Sequence, residues 1–227
     1  MNDLFAALDV TWPAAGTRRV GPFLLRDGAG GGKRVSAATR EGPFDDAALD
    51  ALDAPLFQVR PGDEALDAAL QARGYGIVDP SVLMSAPVET LAEAPPPVFL
   101  LPCWPPLAIQ RRLWEGAHTG PERLAVMARA EGPKTSFILR QNDSPAGVGF
   151  VALHQGIAML HALHVEPGFR RQGVARRAVQ GMAHWAAENG ARTFALAVTT
   201  ANTSARALYS GLGMVEAGRY HYREKRP

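Results

Sequence analysis

Cysteine is nearly absent from this 227-residue chain, with Cys103 its single representative. That excludes an internal disulfide framework and any multi-cysteine metal site, and it suits a reducing, cytoplasmic setting. A surplus of one charge sign is also missing: 24 basic residues face 22 acidic ones, for a formal net charge of +2. No dense Lys/Arg block occurs, so a nucleic-acid partner is not expected. Long apolar runs are lacking as well. The longest stretch, Val98 to Ile109, is interrupted by Pro102, Pro105 and Pro106, whereas a membrane span needs roughly 20 apolar residues. The N-terminus (Met1-Asn2-Asp3-Leu4-Phe5) has no basic head before an apolar run, so neither a signal peptide nor a membrane partner is expected.

What the chain does have is apolar material for a core, 47% of its residues, which argues against disorder. Its charge is divided unevenly. Residues 1–95 hold 8 Lys/Arg and 14 Asp/Glu, a net of −6, and residues 96–227 hold 16 and 8, a net of +8. Pro95-Pro96-Pro97 lies at the changeover. Proline fixes φ and lacks an N–H, so such a stretch sits inside neither a helix nor a central strand. Two units are expected, 1–95 and 96–227.

The second unit reads as alternating strands and helices. Strands are expected over Phe137–Arg140 and Gly147–Leu153, joined by the turn cluster Asn142-Asp143-Ser144-Pro145, and over Ile157–Val165. A helix is expected from Gly173 to Glu188, because Val174, Ala178, Met182, Trp185 and Ala186 recur at three- and four-residue steps. Thr193–Val198 is apolar and suits a central strand. Asn202 or Thr203 can cap a helix over Ser204–Ser210, and a strand pair follows, Met214–Glu216 and Arg219–Arg223. Leu107–Gly116 and Glu122–Ala130 read as short helices. The first unit carries a fainter version of the same order. Phe57–Arg60 aligns without a gap with Leu196–Thr199, and Ala69–Tyr75 then falls on Leu208–Met214. Val20–Arg26 and Arg34–Arg40 read as a hairpin around Gly28–Gly32, whose spacing does not fit a phosphate-binding loop.

The segment Val165-Glu166-Pro167-Gly168-Phe169-Arg170-Arg171-Gln172-Gly173-Val174-Ala175 lies between an apolar strand and an amphipathic helix. A helix N-terminus offers free N–H donors and a positive dipole end, both suited to a pyrophosphate. About 30 residues later comes Asn202-Thr203-Ser204-Ala205-Arg206-Ala207-Leu208-Tyr209. With both segments present in this order, residues 105–225 resemble the GNAT superfamily of acyl-CoA-dependent N-acetyltransferases. The resemblance implies an α/β (α+β) fold with a mixed, V-splayed central sheet flanked by helices. It implies acetyl-CoA as co-substrate, no metal, and an amine acceptor, either a small molecule or an exposed protein amine. Leu163, His164 and Val165 would pair with the pantetheine arm. The amides of Arg170, Arg171, Gln172, Gly173, Val174 and Ala175 would hold the pyrophosphate, and Asn202 would contact the pantetheine. Residues 1–95 then read as a smaller, degenerate GNAT-like domain without catalytic duty, since Leu70 falls at the place of Tyr209.

Two side chains are the catalytic candidates. Tyr209 would lie near the thioester sulfur, and a phenol with a pKa of about 10 can protonate a departing thiolate. His161 resembles the histidine that helps deprotonate the amine in arylalkylamine acetyltransferases. Strict alternation would put His161, Leu163 and Val165 on one face of their strand and His164 on the other. Met159 stands where related enzymes carry a glutamate or another histidine, and Ala197 where ribosomal-protein N-terminal acetyltransferases carry a glutamate. The implied reaction is direct transfer of acetyl from acetyl-CoA to a primary amine. A non-catalytic acyl-CoA sensor is the alternative.

Overall fold

The structure, a computed structural model, describes residues 2–225. Met1, Arg226 and Pro227, at the outer ends of the two expected units, lie outside the described residues. The chain opens with helix α1 (Asn2–Thr11), strands β1 (Gly16–Val20) and β2 (Phe23–Asp27), the single turn α2 (Lys33–Ser36) and β3 (Thr39–Arg40). Next come α3 (Asp46–Asp50), β4 (Leu56–Val59), α4 (Glu64–Ala72), β5 (Tyr75–Pro87) and α5 (Val88–Leu91). Beyond the prolines follow β6 (Leu100–Cys103), α6 (Ala108–Gly116), α7 (Pro121–Arg129), β7 (Lys134–Gln141), β8 (Ser144–His154) and β9 (Ile157–Val165). The chain closes with α8 (Val174–Glu188), β10 (Thr193–Thr199), α9 (Thr203–Ser210) and β11 (Val215–Lys225).

Local chemistry accounts for most of these boundaries. Asn142 and Asp143 both take positive φ, 50° and 58°, as a two-residue turn between twisted antiparallel strands requires. Helix α8 buries Val174, Ala178, Met182 and Ala186 along one stripe, and Gly190 at φ 85° ends it in the left-handed conformation. Asn202 caps α9, its side chain accepting from the Ala205 amide.

Two expectations fail. The hairpin near the N-terminus is β1 with β2, turning at Gly21-Pro22, while Lys33–Ser36 is helical. The run of glycines is not a free tip: Ala29 and Gly30 are exposed, but Gly28 and Gly31 are buried. A side chain at Gly31 would come within 2.5 Å of Val126 Cγ2, so that loop packs closely on α7. Near the C-terminus, the expected strand pair is one strand, β11. Two register shifts against β5, at Glu216/Gly218 and Tyr220/Tyr222, interrupt its alternation and make it read as two pieces.

The principal sheet has eight strands in the order β4-β11-β5-β10-β9-β8-β7-β6, and β1-β2-β3 form a second, smaller sheet. Strands from both sides of the prolines share the large sheet. β5 lies between β10 and β11, and β11 lies between β4 and β5. The two strand–helix–strand units, β4-α4-β5 and β10-α9-β11, thus exchange their last strands. The proline stretch is packed: a side chain at Gly181 of α8 would touch Pro95 at 3.1 Å. One face of the sheet packs on α5, α8 and α9, and the other on α1, α6 and α7. A separate cluster around Phe23, Phe57, Leu66 and Leu70 holds the N-terminal elements together.

Candidate active site

β9 and β10 run parallel and pair from Thr193 with Ile157 to Leu196 with Leu160. Beyond that pair they part, although β9 continues along β8 to Val165 and β10 continues along β5 to Thr199. One backbone edge of β9 from His161 to Val165 is therefore free of a neighbouring strand. Leu163, His164 and Val165 all lie on this stretch, as the pantetheine-pairing role requires.

A bulge sits where the strands part. Val148 pairs with His164 and Phe150 with His161, so β9 carries one more residue than β8 over this interval. Ala162 takes φ 48°, and its carbonyl accepts from Trp114 Nε1 at 2.8 Å. The extra residue breaks the expected alternation. Leu163 and Val165 pack on the α8 side. His161 turns to the opposite side, its ring 4.9 Å from that of Trp12, with Ala162 beside it in the cluster around Trp12 and Trp114. The shared face expected for His161, Leu163 and Val165 does not exist, because period-two counting cannot cross a bulge.

At the end of β9 the chain turns into α8 through Arg171, at φ 61°, and Gly173, at φ 77°. Gly173 adopts a conformation that disfavours a side chain, and no atom lies within 4 Å of where its Cβ would be. The first amides of α8 have no acceptor one turn back. The neighbouring side chains fold onto the protein: Arg170 Nε donates to Val165 O at 3.0 Å, and Gln172 Nε2 to Gly168 O at 2.8 Å. What remains at the mouth is backbone N–H and exposed positive charge, a setting that fits a pyrophosphate.

Between the parted strands lies a cavity of about 270 Å³, lined by Leu163, Ala197, Asn202 and Tyr209 among others. Tyr209 projects into it from α9 and is buried. Burial pushes its phenol up to about 12, so at neutral pH the hydroxyl stays protonated and able to donate. Asn202 also lines the cavity, but its Oδ1 already accepts from the Ala205 amide and the Ser204 hydroxyl.

His161 and Arg34 stand in the wall between this cavity and a second one of about 410 Å³. Arg34 Nη1 lies 3.2 Å from His161 Nδ1. A guanidinium only donates, so Nδ1 is the acceptor and the ring proton is on Nε2. That proton points to Thr11 Oγ1 at 2.9 Å, which passes its own to Ala7 O at 2.6 Å. Burial, and then the adjacent Arg34 charge, hold the His161 pKa well below its ordinary value. The ring is therefore neutral with both nitrogens engaged. A proton on Nδ1 would face the guanidinium, which counts against His161 as the base that accepts the amine's proton.

Trp12, Arg34 and Asp79 of the second cavity all come from the first 95 residues. Sequence reading missed them. Arg34 and Thr11 reach His161 across 127 and 150 residues, and no local pattern marks such a meeting. Met159 is buried under α1 and supplies no base. Among the described residues, no group of three or more His, Cys, Asp or Glu side chains is arranged to hold a metal ion, and no helix is long and apolar enough to cross a membrane.

A mixed sheet parted at its parallel pair, with a helix N-terminus at the mouth of the wedge, defines an acyltransferase fold. Residues 98–214 match the Acetyltransferase (GNAT) family, and the chain belongs to that family. It is 26% identical over 247 aligned positions to the uncharacterised N-acetyltransferase YobR of Bacillus subtilis (strain 168), covering 95% of each chain. Among solved structures it is similar to a GCN5-related N-acetyltransferase from Kribbella flavida. That match has a TM-score of 0.72 and 17% identity, covering 99% of this chain and 95% of the other. A tandem GNAT protein from the clavulanic acid biosynthesis pathway superposes with a TM-score of 0.58 at 13% identity, over 97% of this chain and 87% of that one. At these identities both structures speak for the fold alone.

Proposed function

We propose that this acyltransferase moves an acetyl group from acetyl-CoA to a primary amine by direct attack, with Tyr209 as the general acid. Bound acetyl-CoA supplies an activated thioester. Its pantetheine arm pairs with the free edge of β9 at Leu163, His164 and Val165, and passes Asn202. Its pyrophosphate rests on the amides from Arg170 to Ala175. The acceptor enters through the second cavity as an ammonium ion with a pKa of about 10, and only the neutral fraction can attack. The nitrogen bonds to the carbonyl carbon while a backbone N–H of the splayed strand stabilises the developing oxyanion. As the C–S bond breaks, Tyr209 gives its proton to the departing thiolate. The proton shed by nitrogen passes to solvent and restores the phenol.

The observation that carries this reading is Tyr209 itself, a buried phenol raised to about 12 by burial and facing the cavity between the parting strands. His161 acts on this reading as a positioning residue, a neutral acceptor that holds Arg34. A reducing, cytoplasmic setting suits the single free thiol. We further propose that residues 1–95 are a degenerate GNAT-like unit without chemistry of its own. The exchange of strands between β4-α4-β5 and β10-α9-β11 supports this, as does the likeness to a tandem GNAT protein. Leu70 stands where the second unit has Tyr209, and it is buried in its own cluster.

The test is release of CoA thiol from acetyl-CoA across a panel of amines. Tyr209→Phe should lower kcat by about 100-fold or more and leave acetyl-CoA affinity unchanged. Equal turnover in that variant would remove Tyr209 as the acid. Acetyl-CoA binding without turnover over a broad panel would favour the sensor instead.

A further inference from the structure

We infer that the acceptor carries an anionic group, a carboxylate or phosphate type of oxyacid, and that Arg34 anchors it with support from Arg123. This inference builds on the acyl-transfer reading and adds the class of acceptor. The larger cavity holds three cationic side chains, Lys33, Arg34 and Arg123, against one carboxylate, Asp79. Lys33 is already neutralised, 3.1 Å from Asp79 and 3.2 Å from Glu224. Among the described residues, neither Arg34 nor Arg123 makes an ion pair with a carboxylate.

Arg34 is placed in an unusual way. Its partners are all neutral, the ring of His161 and the hydroxyls of Tyr220 and Tyr222, and its buried Nε has no partner. Burial works against its charge, yet the phenols of Tyr220 and Tyr222 beside it keep the guanidinium above its ordinary value. A guanidinium held partly out of water without a counter-ion is costly, and an orphaned donor adds to that. The ligand can bring the missing anion, because a guanidinium fork matches the two oxygens of an oxyacid.

Position narrows the class further. Arg34 lines both cavities, so an anion held there lies within a few bonds of an amine directed at the thioester. Arg123 approaches from α7, its guanidinium against Gly32. The hydroxyls of Ser81, Thr119 and Thr199 stand around the same space. A volume of about 410 Å³ is in the range of small-molecule sites, which favours a compact amino acid or aminoalkyl phosphate over a protein side chain. A polyamine would meet this surplus of positive charge unfavourably. The acidic balance of residues 1–95 does not extend to the cavity wall, where that half contributes Lys33 and Arg34 against the single carboxylate Asp79.

The probes are short amino carboxylates, the matching aminoalkylphosphonates and the matching neutral amides, tested on the full-length protein by two readouts. In thiol release, the anionic members should show KM values about tenfold or more below those of their amides. In Arg34→Met, that ratio should collapse to about one. Arg123→Gln should reduce it partway, which covers the case in which Arg34→Met does not fold. In the second readout, melting in the presence of CoA, anionic members should raise Tm in the parent protein but not in Arg34→Met. Preference between carboxylate and phosphonate identifies the anion.

Amides accepted as well as or better than their anionic twins would overturn the inference while leaving acyl transfer standing. A fall in kcat shared by both series in Arg34→Met, with KM unmoved, would also overturn it, placing the charge on the reacting atoms instead. If no probe releases thiol, the acyl-transfer reading fails for these acceptors and melting alone decides. An anion-specific rise that depends on Arg34 supports the inference, and its absence overturns it.

Discussion

His161 is buried in its neutral form, which ties its protonation to folding. Burial and Arg34 lower its pKa in the folded protein, whereas in the unfolded chain it titrates at about 6.5. The unfolded state therefore takes up the proton first as pH falls. The stabilisation is complete above about 6.5 and is lost below it, at about 1.4 kcal/mol per pH unit until the folded value is reached. In urea titrations from pH 8 to 5, His161→Asn should show a flatter acid limb than the parent protein. Parallel curves would mean that His161 is not held neutral. Tyr209 has the opposite consequence within its own range. Its protonated form is the active one and its pKa is raised to about 12, so between pH 7 and 10 it should impose no descending limb on kcat. A descending limb with a midpoint below 10 that disappears in Tyr209→Phe would contradict that assignment.

Among the elements, the splayed strand β9 depends on its neighbour β8 more than on its own residues. Gly147 pairs with Val165 at the far end of β9, and a Cβ there would stand 2.3 Å from His164 O and 3.1 Å from Val165 Cα. Those atoms are backbone and cannot swing aside. Gly147→Ala should therefore cost about 1–3 kcal/mol, measured as a lower urea midpoint at unchanged slope. It should also weaken acetyl-CoA binding, because the edge it displaces is the one proposed to hold pantetheine. A stable variant with lowered affinity would still agree with that role; unchanged stability and affinity together would refute it. The bulge at Ala162 belongs to this scale too. One residue in a left-handed conformation sends His161 towards α1 and leaves Leu163 and Val165 facing α8.

For the whole molecule, the exchanged strands mean that neither unit holds a complete sheet. Residues 96–227 alone would lack β4 and β5, exposing one edge of β10 and both edges of β11. That fragment should lack a cooperative thermal transition and should aggregate, while the full chain melts in one step. A soluble, cooperatively folding fragment would show that the exchange is dispensable. The first unit also supplies Trp12, Arg34 and Asp79 to the wall of the second cavity. Loss of the first unit would then remove part of that wall, the proposed acceptor side, as well as two strands of the large sheet.

The half of the site proposed to hold the cofactor was legible as local structure. The turn from Val165 to Ala175 and the helix carrying Asn202 and Tyr209 each place their groups within a dozen residues, where capping and periodicity leave a readable trace. Membership of the GNAT family followed from those segments, as did the strands and helices from β7 to α9. The half proposed to take the acceptor was not legible, because its contacts are long-range. Arg34 meets His161 only when α2 folds against the parted strands, and no residue near either one signals the other. The proline boundary marked a real change of composition, but backbone hydrogen bonding ignores composition, and the large sheet closes across it. The shared face predicted for His161 failed for a similar reason, since a bulge is specified by the strands on either side of it. Sequence by itself determined the family and the strand-to-helix turn proposed to cradle the cofactor; tertiary structure decided what lines the second cavity, because only packing brings residues so far apart into one wall.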